Sequence, residues 1–195
     1  MRPGTPERAA AVVCHAHPLH GGIMHFKLVF RLAKALQESG LAVLRFNFRG
    51  VGRSEGTHDN GIGEQDDVRA ALAELERRFP GLPLVAAGFS FGAVMAACAG
   101  RSDPRVRALA LLGIPIAHLN DAALLDGCVT PRLFLQGGND EFGGQGAITG
   151  FVARLPEPKS LVVIEGADHY LTGRLDEAHA AVASWAAGLP FAQPT

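Results

Sequence analysis

The stretch that most narrows what this chain can fold into runs from Leu84 to Ala99. Leu84-Val85-Ala86-Ala87 is an unbroken apolar run, Gly88-Phe89-Ser90-Phe91-Gly92 follows it, and Ala93-Val94-Met95-Ala96-Ala97-Cys98-Ala99 is a helix-forming run. A short apolar run bounded by glycine reads as a buried strand, and the run after it is too rich in Ala to be another. A G-x-S-x-G pattern set between strand and helix places its serine on a tight turn, with the hydroxyl exposed above the sheet. Gly88 and Gly92 leave room where side chains would collide with the neighbouring strand and helix. The helix that starts after Ser90 aims its first N–H groups at the same spot, which favours developing negative charge. The pattern alone means little in a chain with 24 glycines; the strand before it and the helix after it give it weight.

The remaining sequence repeats the strand-then-helix order. Ala9–Cys14, Leu41–Phe48, Val106–Leu112, Arg132–Gln136 and Ser160–Glu165 read as further strands. Helices are expected over Met24–Ser39, Glu64–Phe79, Gly146–Leu155 and Arg174–Ala187, with a short one over His118–Asp126. Phe26, Val29, Phe30, Leu32, Ala33 and Leu36 fall on one helical period. Strands alternating with helices imply an α/β fold: a three-layer sandwich around a mainly parallel sheet of about six strands. Ligands of such sheets sit beyond the C-terminal ends of the strands.

Its 195 residues suit one domain spanning 1–195, and 48 % hydrophobic content supplies ample core. A formal net charge of -1 with no basic run argues against nucleic acid or a membrane surface as partner. The start, Met1 to Arg8, has no apolar core of a signal peptide, and no apolar stretch is long enough to span a bilayer. Cys14, Cys98 and Cys128 are odd in number and widely spaced, as for free thiols in a reducing compartment. The expected location is cytoplasmic.

Candidate chemistry gathers where strands end. A serine hydroxyl needs a base to become a nucleophile, and the base needs an orienting acceptor. His169, in Gly166-Ala167-Asp168-His169 after the last strand, is the candidate base. Asp140, after the strand before it, is the candidate acceptor, with Glu141 as the spare carboxylate and Asp168 as a loop or cap residue. The order Ser90, Asp140, His169 is the one this architecture uses. One oxyanion donor is expected from the backbone N–H of Phe91. The other should come from the His15–Gly22 loop, where Pro18 has no N–H, with Leu19 the first choice and His20 the second. Leu19, Phe91, Phe142 and Tyr170 are the candidate substrate-lining residues. The glycine-rich Arg49–Gly56 loop lacks the G-x-G-x-x-G spacing of a dinucleotide site.

Three motifs carry a resemblance: His15-Ala16-His17-Pro18-Leu19-His20-Gly21-Gly22, the segment Leu44 to Ser54, and Gly88 to Gly92. With them the chain resembles the α/β-hydrolase superfamily, and within it the small bacterial serine hydrolases related to dienelactone hydrolases. The resemblance implies a Ser90–His169–Asp140 triad, no cofactor and no metal. It also implies that an N-terminal strand pair usual in the family is missing, which would leave Leu41–Phe48 as a sheet edge and a possible homodimer interface. The expected function is a serine hydrolase, most simply a carboxylesterase cleaving small-molecule esters through an acyl-enzyme. The short segment between Val106–Leu112 and Arg132–Gln136 implies a minimal lid or none, an open site and short acyl chains. Two alternatives stand beside this: a metal-dependent hydrolase using the His15, His17, His20 and His25 cluster, and a non-catalytic interaction protein on the same scaffold.

Overall fold

The computed structural model describes residues 7–119, 121 and 123–191. Six strands form one sheet: β1 (Ala9–Cys14), β2 (Leu41–Arg45), β3 (Leu84–Phe89), β4 (Val106–Leu112), β5 (Arg132–Gly137) and β6 (Lys159–Ile164). They stand in the order β2-β1-β3-β4-β5-β6, and every neighbouring pair is parallel. Five helices connect them: α1 (Lys27–Glu38), α2 (Gly63–Arg78), α3 (Phe91–Gly100), α4 (Gln145–Ala153) and α5 (Leu175–Ala187). β1, β3 and β5 are buried along their whole length, so they read as continuous apolar runs rather than alternating ones.

Two cores result, one on each face. Val12, Ala86, Leu109 and Phe134 point to the layer of α2, α3 and α4. Val13, Val85, Leu112 and Leu135 point to the layer of α1 and α5. The alternation along each strand sends successive side chains to opposite layers.

The chain steps from β1 out to β2, then returns to the other side of β1 for β3. The strand order therefore reverses between β1 and β3, where loops leave in opposite directions and open a crevice. The loop after β1 and the turn holding Ser90 both start at this switch point.

Three elements differ from expectation. α1 begins at Lys27 rather than Met24, because the backbone of Met24 is committed elsewhere: its N–H donates to Asn47 Oδ1 and its carbonyl accepts from Arg45 Nη1. Phe30, placed on the apolar period, is 48 % exposed and lies under the Arg45 guanidinium. β2 ends at Arg45 rather than Phe48, since its partner β1 runs out at Cys14 and the Phe48 N–H goes instead to His15 Nε2. The helix expected over His118–Asp126 does not form. Ile116–His118 make one 3-10 turn, Leu119 is extended, and the Asp121 carboxylate takes the Ala123 N–H in a local turn that competes with a helix. Asn120 and Ala122 of that segment lie outside the described residues.

β2 is an edge of this sheet. Arg8, next to β1, donates from its guanidinium to Ser39 O, Leu189 O and Ala186 O, tying the C-terminal ends of α1 and α5 together. Residues 1–6 lie outside the described residues.

Candidate active site

Ser90 occupies φ 55, ψ -122, a backbone conformation that side chains rarely adopt. Its neighbours explain how the turn is held. A Cβ on Gly88 would sit 2.2 Å from Gly92 O, and one on Gly92 would sit 2.4 Å from His15 O and 2.5 Å from Cys14 O. Glycine at both positions thus lets strand β3, helix α3 and the end of β1 approach backbone to backbone. Ser90 N–H donates to Leu112 O, which anchors the turn to β4.

The loops after β5 and β6 bring the other two residues in. His169 Nε2 lies 3.0 Å from Ser90 Oγ, and His169 Nδ1 lies 2.8 Å from Asp140 Oδ2. His169 is 3 % exposed and Asp140 4 %. Asp140 is itself fixed at both oxygens: Oδ2 accepts from Gln136 Nε2 at 2.7 Å and Oδ1 from the Phe142 N–H at 2.8 Å. With Asp140 as acceptor the imidazole carries its proton on Nδ1, so Nε2 is free to accept from the serine. Glu141 is exposed, and the acceptor at His169 Nδ1 is Asp140. Asp168 accepts from the Thr172 N–H at 2.8 Å, and that hydrogen bond holds its carboxyl below the ordinary aspartate range, so it caps its own loop. Gln136, the polar end of an otherwise apolar strand, is the one partner sequence reasoning passed over; its amide in Arg132-Leu133-Phe134-Leu135-Gln136 was the available sign.

The first-loop donors differ from expectation. The Leu19 N–H is taken by His17 Nδ1 at 3.2 Å, and the His20 N–H by His17 O at 3.0 Å. Both are consumed inside the 3-10 turn Pro18–His20, and the Leu19 side chain is 69 % exposed and lines no part of the site. The His17 N–H has no partner among the described residues, and the His17 ring lies 4.9 Å from that of Phe91. Phe91, the first residue of α3, offers an N–H the helix itself leaves unbonded.

The clustered histidines are spread over separate tasks. His15 is fully buried, its Nδ1 donating to Ala16 O at 2.7 Å while Nε2 accepts from Phe48 N–H. Burial pushes its pKa down, which keeps it neutral and able to accept. His17 is likewise pushed down, by burial first and then by the neighbouring His20 and His58. His58, which sequence reasoning did not single out, lies 4.8 Å from the His17 ring and pairs with Glu64, whose side chain is wholly buried. Its Nδ1 stands 2.8 Å from Glu64 Oε1, a close approach outside hydrogen-bond geometry. Among the described residues no group of three His, Cys, Asp or Glu is placed to hold a metal ion.

A groove of about 990 Å³ opens at Ser90. Phe91, Phe142 and Tyr170 line it. The short β4–β5 connection is no lid, yet it contributes Pro115, His118, Leu119 and Leu124 to the lining. Phe91, Val94, Met95 and Cys98 of α3 share this lining, so the groove extends along the helix that begins at Ser90. Among the described residues no helix is long and apolar enough to cross a membrane.

Comparison with known proteins gives the same picture. The model of the serine aminopeptidase S33 family matches residues 7–122. RP471 of Rickettsia prowazekii (strain Madrid E) is 36 % identical over 181 residues, covering 89 % of this chain and 76 % of that protein. An α/β serine hydrolase homologue from Coxiella burnetii superposes with a TM-score of 0.87 at 38 % identity, over 93 % of this chain and 86 % of its own. XC6422 from Xanthomonas campestris, described as an α/β serine hydrolase without lid, gives 0.88 at 32 % identity, over 100 % and 88 %. Est1E from Butyrivibrio proteoclasticus, with ferulic acid bound, gives 0.81 at 17 % identity over 94 % and 90 %, a likeness of fold alone.

Proposed function

The chain belongs to the α/β-hydrolase superfamily, in its serine aminopeptidase S33 family, and from that premise we propose that it is a carboxylesterase forming an acyl-enzyme on Ser90. The observation that carries this is the continuous line Ser90 Oγ, His169 Nε2, His169 Nδ1, Asp140 Oδ2, with contacts of 3.0 and 2.8 Å. His169 takes the Ser90 proton as Oγ attacks the ester carbonyl. Asp140 holds the tautomer and stabilises the imidazolium. The oxyanion that develops is met by the N–H group of Phe91, at the N-terminus of α3, and that of His17, in the loop after β1. Collapse of this intermediate breaks the ester C–O bond, and His169 returns the proton to the leaving alcohol. Water, deprotonated by the same imidazole, then releases the acid and regenerates Ser90.

Esters are favoured over peptides with a free amino terminus by the charges of the groove. Among its described lining residues the one carboxylate is Asp121, in the β4–β5 connection rather than on the Ser90 turn. A substrate ammonium would meet no anion at the nucleophile.

Hydrolysis of p-nitrophenyl acetate and butyrate by the wild-type protein tests this, together with a fluorophosphonate label mapped to Ser90 by mass spectrometry. Turnover that survives Ser90→Ala, or that stops on adding a chelator, would remove the reading.

A further inference from the structure

Helix α3 does more than present Ser90. Phe91, Val94, Met95 and Cys98 recur along it at intervals that put them on one face, and that face is the floor of the groove. Ile62, 70 % exposed, forms an apolar rim at the start of α2, and Leu119 and Leu124 add apolar side chains to the lining. From Ser90 to Cys98 the helix rises roughly 12 Å. Beyond lie Arg69, Arg101, Ser102 and Asp121, all exposed. Arg69 is held by Asp66 and Gln65, and Arg101 donates to Leu124 O. The α3 floor of the groove is thus apolar for about two turns of helix, with His58, Asn60, Gln65 and His118 elsewhere in the lining, and beyond it the groove reaches exposed charged residues.

The direction of a substrate follows from His169. The leaving alcohol must lie over the imidazole that protonates it, between Phe142 and Tyr170, whose rings stand 4.6 and 5.2 Å from it. The acyl group points the other way, along α3. We propose that this arm of the groove is the acyl site and that it takes linear acyl chains of about eight to ten carbons, since a zigzag of 1.5 Å bonds advances roughly 1.25 Å per carbon. The proposal rests on the carboxylesterase reading of Ser90 and assigns its substrate class, longer than the short-acyl chains expected from the β4–β5 connection.

Two measurements test it. Across p-nitrophenyl esters, kcat/KM should climb from acetate to octanoate by up to about fourfold per CH₂ and level off beyond decanoate, where the chain meets the charged end. In Val94→Trp, which fills the second turn of the floor, the octanoate-to-acetate ratio should fall at least about tenfold. The second measurement needs no turnover and no variant. Cys98 sits half-buried on the groove floor, whereas Cys14 is fully buried and Cys128 8 % exposed. Alkylation of Cys98 by N-ethylmaleimide, followed by peptide mass spectrometry, should slow at least about fivefold in saturating 2-decanone and stay unchanged in 2-butanone. Equal kcat/KM for acetate and octanoate, an equal loss on both in Val94→Trp, or alkylation of Cys98 indifferent to 2-decanone would overturn the proposal. Turnover surviving Ser90→Ala would instead remove the acyl-enzyme, leaving Cys98 protection to decide the groove by itself.

Discussion

At the scale of single residues, the serine and its two partners set the sharpest expectations. Ser90→Ala removes the atom that carries the acyl group, and esterase kcat should fall about 10⁴-fold or more with the fold intact by circular dichroism. Asp140→Asn should cost up to about 10⁴-fold, because an amide in contact with Nδ1 favours the wrong tautomer. Glu141→Gln should change little, as Glu141 is exposed and apart from His169. Equal losses in the two variants would overturn the choice of Asp140 as the triad acid. The rate should rise with pH, since only a neutral imidazole accepts the serine proton; a flat profile from roughly pH 5 to 9 would speak against a histidine base.

At the scale of elements, the entry into α2 is the most exacting. Glu64 is buried, yet its carboxylate accepts from Asp59 N–H at 2.9 Å and Gly61 N–H at 2.8 Å, while Asp59 Oδ2 accepts from Gly63 N–H. The side chains and amides of this loop close on one another like a helix cap. Burial opposes ionisation of Glu64, but these N–H groups and His58 prevail and hold its pKa below the usual glutamate value. A depressed carboxylate stabilises the fold above its unfolded pKa of about 4.3, and the contribution is lost as pH falls through the folded value. Glu64→Ala should therefore cost about 2–4 kcal/mol near neutral pH by leaving two donors unpaired, with the difference from wild type shrinking in acid. Urea titrations at several pH values would show it; a constant difference down to about pH 3 would mean the carboxylate charge contributes nothing.

At the scale of the whole molecule, Arg8 links what the sequence keeps far apart. Its guanidinium satisfies terminal carbonyls of α1 and α5 at once, near helix ends where positive charge is favoured. Arg8→Ala should lower stability by about 2–4 kcal/mol, read as an earlier urea midpoint with unchanged slope and with ester hydrolysis retained. The edge strand β2 bears on assembly: among the described residues no strand pairs with its outer side. We propose a homodimer by two-fold pairing of this edge; light scattering at tens of micromolar checks it, and a monomer mass would dismiss it.

The order of strands and helices was legible in the sequence because hydrophobic period and glycine punctuation are local properties. Leu84–Gly92 announces its strand, turn and helix with no help from the rest of the chain, and Ser90, Asp140 and His169 each declare themselves by following an apolar run. What the sequence could not settle was every question of which partner a group chooses. Leu19 and His20 carry N–H groups in the right loop, but only the folded turn shows His17 accepting both. The end of β2 was invisible because a strand stops where its neighbour stops, and that neighbour, β1, is some thirty residues away. The acyl groove likewise belongs to no segment. It exists because α3, the start of α2 and the β4–β5 connection are packed side by side, and packing between distant segments is what local periodicity does not encode.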